Sequence, residues 1–465
     1  MKLHAGAKIH FIGIAGSGMS GIAKIFSAKG FDVTGSDIKV SSVIEDLEKM
    51  EIKVAIGHLA KNIDGVDLVI RSSAIEPENC EVVAAKAQNI PVIQRAQALA
   101  LLLEGKRSIA VAGTHGKTTT TSMLAFALCE MKLDPSYVIG ATLRNFGEGS
   151  RLGLGEEFII EADESDGSFI HYLPVGAIIT NLELDHVDNF ATIEELELLF
   201  ENFIKTVSEF IVISSDDLLL NRLEIPSTLK VIKAGFGDSG KSEIDLAVTK
   251  VEMGSFGSKA DLFWQGNFLT TLNLKVPGRH NLHNAALAIA AGIHLGFDGA
   301  NLAQSLSNFQ GASRRFEVKS NFSDITVVDD YAHHPTEIDV TLKAARNYLQ
   351  SKKDQSGRLI AIFQPHRYSR TATFHKEFAQ ALSEADLVYL LDIYGAGEKA
   401  IAGVSSRMIV ENFEAQDRVK LLSKEETLKQ ILTTARSGDL IITLGAGDVG
   451  LMSDQISIGL KDKKP

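Results

Sequence analysis

Ala112-Gly113-Thr114-His115-Gly116-Lys117-Thr118-Thr119-Thr120 follows a strand-like apolar run, Ser108 to Ala112, and leads into a helix-like one, Ser122 to Glu130. Strand, glycine turn and helix with Lys-Thr at its start make a phosphate cradle. The glycines let backbone N–H groups approach phosphate oxygens, and the helix N-terminus adds the positive end of its dipole. Lys117 reaches the terminal phosphates, and the Thr118 hydroxyl can hold Mg²⁺. The usual pattern has four residues between the first glycine and the Gly-Lys pair; here two separate Gly113 from Gly116, a shortened variant. The stretch predicts an α/β domain that uses ATP or a related nucleotide.

Working outward, the 465 residues are enough for two to four domains, each with its own core. They read as three α/β blocks, expected over 1–105, 106–311 and 312–465. The first block has strand-like runs at Lys8–Ile14, Phe31–Gly35, Lys53–Gly57, Leu68–Ile75 and Pro91–Gln94 between helix-like stretches, the alternation of a mostly parallel sheet. The second continues from the cradle through Glu157–Glu161, Ala177–Thr180 and Phe210–Ser214. A helix starting at Thr192 carries Leu196, Leu199, Phe200, Phe203 and Val207 as one apolar stripe, which is core. Short alternating runs between 243 and 276 predict a small antiparallel addition. The third block has strands at Ile325–Asp329, Leu359–Phe363, Leu387–Leu391, Val419–Leu422 and Leu440–Leu444.

Composition excludes several classes. A net charge of −12 argues against a nucleic-acid or anionic-membrane surface, so an anionic ligand needs a local basic pocket. The two cysteines, Cys80 and Cys129, lack metal or disulfide-framework spacing. Glycines interrupt the first apolar run, and no run of 18 apolar residues occurs, so neither a signal peptide nor membrane insertion is expected and the reading is cytoplasmic.

Polar clusters stand where strands end, the edge on which parallel sheets bind ligands. Gly16-Ser17-Gly18-Met19-Ser20-Gly21 follows the first strand and Asp37 the second, the layout of a nucleotide-diphosphate fingerprint. It suits any ligand with a pyrophosphate and a ribose; a tight turn with Asp37 as a cap fits the same residues. Ser72 and Ser73 can add hydroxyl contacts. Glu161-Ala-Asp163-Glu164-Ser-Asp166 and Asn181-Leu-Glu183-Leu-Asp185-His186 end two strands of the second block, with Glu161 a metal partner for Thr118 and His186 a candidate for a second ion. His280-Asn281-Leu-His283-Asn284 opens an Ala-rich helix, which the asparagines either cap or use to read a base edge. The third block adds Arg314-Arg315, Asp329-Asp330-Tyr331-Ala-His333-His334, Gln364-Pro-His366-Arg367-Tyr-Ser-Arg370, Gly395-Ala-Gly397-Glu398 and Gly445-Ala-Gly447-Asp448 on one edge.

In this order, these motifs resemble the Mur ligase family of bacterial cell-wall synthesis, over nearly the whole chain. The resemblance implies a Rossmann-like N-terminal domain for a UDP substrate, a central P-loop ATPase-like domain and a C-terminal Rossmann-like domain. It implies an ATP-dependent ligase of peptidoglycan precursor synthesis, and so of cell shape and division, which joins L-alanine to the lactyl carboxylate of UDP-N-acetylmuramate through an acyl phosphate. Gly113, Thr114, His115, Gly116, Lys117, Thr118 and Thr119 would hold ATP phosphates, and His280, Asn281 and Asn284 the adenine side. Arg315 and Asp330 would contact the nucleotide from the third block. Thr118, Glu161 and His186 would serve two Mg²⁺ ions, with Lys117, Glu161, His186 and Arg315 as the catalytic set. Gly16, Ser17, Gly18, Met19, Ser20, Asp37, Ser72 and Ser73 would bind the UDP substrate, and Tyr331, His333, Arg367 and Arg370 would line the amino-acid and carboxylate site. A monomer or homodimer is expected. The recycling branch of the family joins a preformed tripeptide instead and carries an insertion after Glu-Ala-Asp; here Glu164–Phe169 runs straight to His171-Tyr-Leu-Pro174, which favours free L-alanine. The absence of lysine from Thr180–Phe190 suits the same branch. A nicotinamide-dependent oxidoreductase would explain the glycine turn and Asp37 but leave Lys117-Thr118 without a role. A non-catalytic ATP-driven binding module would leave the Arg and His loops of the third block unexplained.

Overall fold

The structure, a computed structural model, describes residues 3–4, 6–185, 190, 192–238, 243–254, 257–352 and 357–462. The first sheet contains β1 (Lys8–Ile12), β2 (Asp32–Asp37), β3 (Lys53–Ile56), β4 (Leu68–Arg71) and β5 (Val92–Gln94), all parallel, in the order β3-β2-β1-β4-β5. Strand order reverses between β1 and β4, and such a switch point opens a crevice beyond the strands' C-terminal ends. The glycine turn leaves β1 there, and Ser72-Ser73 leave β4.

The second sheet has ten strands: β6 (Arg107–Ala112), β7 (Ser136–Leu143), β8 (Glu148–Arg151), β9 (Glu157–Glu161), β10 (Gly176–Ile179), β11 (Phe210–Ser214), β12 (Lys230–Phe236), β13 (Leu246–Gly254), β14 (Gly257–Trp264) and β15 (Asn267–Leu274). Their order is β15-β14-β13-β12-β11-β10-β6-β9-β7-β8, with β6 parallel to both β9 and β10. The antiparallel meander β13-β14-β15 is the predicted addition. The third sheet holds β16 (Glu317–Phe322), β17 (Ile325–Asp330), β18 (Leu359–Phe363), β19 (Leu387–Leu390), β20 (Val419–Leu421) and β21 (Leu440–Leu444), in the order β16-β17-β21-β18-β19-β20. Only the edge strand β16 is antiparallel. Period-two alternation sends Val328, Leu359, Phe363 and Ile442 to one core and Val327, Ile360, Ile362 and Ile441 to another, so both faces are covered.

Contacts group the chain into two compact units. One comprises Met1–Leu182, Leu196–Ala234 and Leu287–Ser305; the other comprises Glu183–Glu195, Gly235–Ala286 and Leu306–Pro465. The first contains the first sheet and the P-loop, and the second the meander and the third sheet. Among the described residues no helix is long and apolar enough to cross a membrane.

Four strands went unread in the sequence: β7, β8, β12 and β16. Gly140 interrupts the apolar run of β7, β8 and β16 are largely half-exposed edge strands, and β12 carries Lys230 and Lys233. The cradle helix runs Lys117–Glu130, so it starts five residues before the apolar periodicity does. Gly116, at φ 83, supplies the left-handed residue that turns the chain into it.

Candidate functional site

The shortened cradle is held from the neighbouring strand end. Gly113 has φ +123, and a Cβ there would come 2.2 Å from Thr180 Oγ1, so glycine is required. Thr114 N donates to Asn181 O and His115 N to Asn181 Oδ1, while Thr180 Oγ1 and Asn181 Nδ2 donate to His115 O. Thr119 lies in the first helical turn. Lys117 Nζ donates to Gly113 O (2.6 Å), Thr114 O (3.0 Å) and Glu164 Oε1 (2.9 Å). Burial opposes its charge, but Glu164, Asp163 and Glu161 outweigh that and raise its pKa. Burial pushes the Glu164 carboxyl, more deeply buried than Lys117, upward against the pull of the Lys117 ammonium.

Thr118 Oγ1 donates to Glu161 Oε1 at 2.8 Å, and Gly140 N donates to Glu161 Oε2. Mg²⁺ takes oxygen ligands at about 2.0–2.1 Å in an octahedron, where neighbouring ligands stand roughly 2.9 Å apart. The two oxygens present fit that edge. His186 lies outside the described residues.

Beside the cradle, a cleft of about 250 Å³ opens at the first sheet's switch point. Gly16, Gly18, Met19, Ser72, Ser73, Arg95, Glu161, Asp163 and Asp166 are among its lining residues. It brings the glycine turn and the serines together with the proposed metal carboxylate. Ser20 continues the turn, its N–H donating to Gly16 O, and Ser17 opens the helix Ser17–Ala28. Asp37 braces the turn, with Oδ2 accepting from Ala15 N. Arg95 starts the helix Arg95–Leu103, and its guanidinium lies so close to Gly18 that a Cβ there would be 2.9 Å from Nη1. Burial disfavours its charge, but Tyr172 and then Asp163, Asp166 and Glu161 outweigh that and raise its pKa.

In the second unit, Arg370 Nη2 pairs with Asp185 Oδ1 at 2.8 Å, both buried, so this side chain anchors the strand-end loop that leads to His186. Arg367 caps the helix Tyr368–Leu382 at a strained φ of 72. Glu398 binds the Tyr368 and Ser369 N–H groups of that helix start. Tyr331 and His333 rings meet edge-on, and His333 meets His366 likewise. Burial pushes the His333 pKa down to about 3 and that of His366 to about 4, so both imidazoles are neutral near pH 7. Asp330 accepts from Phe316 N and Ala332 N and is pushed up to about 6 by burial. The Arg315 guanidinium lies 5.3 Å from the Tyr331 ring centroid. Asn281 and Asn284 are buried in the first turns of the helix Arg279–His294, and Asn281 Nδ2 donates back to Pro277 O. His280, beside them, is lowered to about 4 by burial and then by Arg315.

Sequence reading missed Arg95 as a cleft residue and gave Glu164 no role. Arg95 sits in Gln94-Arg95-Ala-Gln97, whose capping-box spacing was the available signal for a helix start at a strand end. Nothing in the local pattern of Glu164 distinguishes it from Asp163 and Asp166. Together the site offers a phosphate cradle, a hard-cation pair and a basic cleft residue beside a second glycine turn. That set can bring a nucleotide's terminal phosphate to an anionic ligand.

Three family patterns match consecutive parts of the chain. They are the Mur ligase family, catalytic domain, over 8–107; the Mur ligase middle domain over 111–292; and the Mur ligase, glutamate ligase domain, over 314–447. UDP-N-acetylmuramate--L-alanine ligase of Desulforamulus reducens is 42% identical over 98% of both chains. The enzyme of that name from Thermobifida fusca is 41% identical over 97% of this chain and 96% of its own. Among solved structures, the UDP-N-acetylmuramate-alanine ligase of Thermotoga maritima superposes with TM-score 0.82 at 29% identity, covering 98% of this chain and 100% of that one. A murein peptide ligase from Psychrobacter arcticus gives TM-score 0.72 at 26% identity over 99% and 100%.

Proposed function

The chain belongs to the Mur ligase family, and we infer that it joins L-alanine to the lactyl carboxylate of UDP-N-acetylmuramate at the expense of ATP, in peptidoglycan precursor synthesis. The observation that carries this reading is end-to-end agreement with relatives named for that reaction, with the cradle, its lysine and the Thr118–Glu161 pair in place. The alternatives are not favoured: a hydride-transfer enzyme has no use for Lys117-Thr118, and the murein peptide ligase superposes less closely than the UDP-N-acetylmuramate-alanine ligase.

A carboxylate resists amines because the leaving group would be oxide. Transfer of the terminal phosphoryl of ATP to a lactyl oxygen gives an acyl phosphate; the alanine amine attacks its carbonyl carbon, and phosphate leaves with that oxygen. Lys117 steadies the terminal phosphates, and the helix Lys117–Glu130 directs its N-terminus at them. Mg²⁺, bound by Thr118 and Glu161, would neutralise phosphate charge, and His186 is assigned a second ion. The resemblance assigns the remaining ATP phosphate contacts to Gly113, Thr114, His115, Gly116 and Thr119. It assigns the rest of the nucleotide to His280, Asn281, Asn284, Arg315 and Asp330, and the amino acid to Tyr331, His333, Arg367 and Arg370. Gly16, Ser17, Gly18, Met19, Ser20, Asp37, Ser72 and Ser73 are assigned to the UDP substrate, and Arg95 joins them on the cleft geometry. Domain limits of 1–105, 106–311 and 312–465, a cytoplasmic location and a monomeric or homodimeric state complete the reading.

Heavy oxygen in the lactyl carboxylate tests it. With L-alanine and Mg-ATP the label is expected in inorganic phosphate alongside ADP. Label in AMP would mean adenylation and overturn the acyl phosphate, and no alanine-dependent phosphate release would overturn the reaction itself.

A further inference from the structure

The Lys117 ammonium has three N–H donors, and the structure gives it three acceptors: Gly113 O, Thr114 O and the Glu164 carboxylate. A contact to phosphate therefore needs one of these given up. The two carbonyls belong to a loop fixed by Gly113's backbone and by Asn181, whereas Glu164 is a side chain and is the exchangeable partner. Its own loop is closed by local bonds: Gly167 N donates to Glu164 O at 2.9 Å, and Ser165 N to Asp163 Oδ1. The Glu164 side chain is 1% exposed and that of Lys117 is 13% exposed, so water screens the pair little.

Resting on the reading of this loop as an ATP cradle, we propose that Glu164 competes with the terminal phosphates of ATP for Lys117 and so holds nucleotide affinity below what the loop would otherwise reach. The exchange replaces one anion by another on the same ammonium. It leaves a carboxylate close to incoming phosphate, which the loop's other donors and the metal must offset. A neutral amide of the same shape keeps an acceptor for Lys117 but a weaker one, so it lessens the competition and removes the repulsion.

The test is calorimetric titration of Mg-ADP and Mg-ATP into the full chain and its Glu164→Gln variant, with Glu164→Ala measured alongside in case the amide does not yield folded protein. Nucleotide is expected to bind roughly 10-fold more tightly once the charge is gone. Damage to the fold lowers affinity, so a gain separates competition from a structural role. Equal or weaker binding by the variant overturns the inference while leaving the ligase reading intact. A wild-type chain that binds no nucleotide overturns both.

Discussion

At the scale of single residues, two cations in one unit are assigned to two different anions. Lys117 faces the cradle's carbonyls and Glu164, whereas Arg95 lies against Gly18 in the cleft. Lys117→Ala is expected to lower turnover about 100-fold or more, since it removes a preorganised donor from the phosphate undergoing transfer, while leaving UDP-N-acetylmuramate binding nearly unchanged. Arg95→Met, which keeps the aliphatic bulk, is expected to weaken that binding about 10- to 100-fold, the worth of a charge-assisted hydrogen bond, with less effect on kcat at saturation. Steady-state kinetics with each substrate varied in turn checks both. Equal losses in kcat and in UDP-substrate KM for both variants would remove the division of labour.

At the scale of elements, the first sheet is braced by a buried carboxylate no motif announced. Glu81, fully buried in the helix Cys80–Ala87, accepts from Ser36 Oγ at 2.7 Å, Asn62 Nδ2 at 2.6 Å and Leu59 N, with His10 Nε2 3.7 Å away. Ser36 O in turn accepts from Gly13 N and Ile14 N, so the network reaches the glycine turn. Burial disfavours the charge, but the nearby His10 ring and the bonds from Ser36 and Asn62 prevail and hold the pKa at about 2, below the usual 4.5. Its stabilisation is therefore full above about pH 4.5 and is lost as pH falls toward 2. Glu81→Gln is expected to cost about 1–3 kcal/mol at pH 7, with the deficit shrinking in that acid range. Urea unfolding at a series of pH values reads this, and a pH-independent deficit would remove the charge from the account. The contrast with the cradle explains what was legible. Gly113, Gly116 and Lys117 announce themselves because phosphate binding demands those residue types at fixed spacing, and strands buried on both faces, such as Leu440–Leu444, read as unbroken apolar runs. Glu81 and Arg95 owe their surroundings to residues 19 to 68 positions away, such as Asn62, Ser36 and Asp163, and contact at that separation leaves no periodic trace.

At the scale of the whole molecule, charge sets the last expectation. The chain carries −12, and its substrate brings a pyrophosphate and a carboxylate, so association works against overall repulsion unless the site corrects it. The lining does not correct it alone: among the described residues it presents Glu161, Asp163 and Asp166 against Arg95. A divalent ion on Thr118 and Glu161 would cancel that excess of negative charge where the lactyl carboxylate must come to rest. Mg²⁺ is therefore expected to tighten UDP-N-acetylmuramate binding several-fold without ATP, at constant ionic strength so that screening is held fixed. Glu161→Ala should abolish that dependence by removing the ligand, although deleting a negative charge would by itself favour the anion. Titration calorimetry with and without Mg²⁺, on both proteins, separates the two effects. Binding of the UDP substrate that ignores Mg²⁺ in the wild-type chain would mean that the metal answers to ATP alone and that Arg95 carries the substrate's charge by itself.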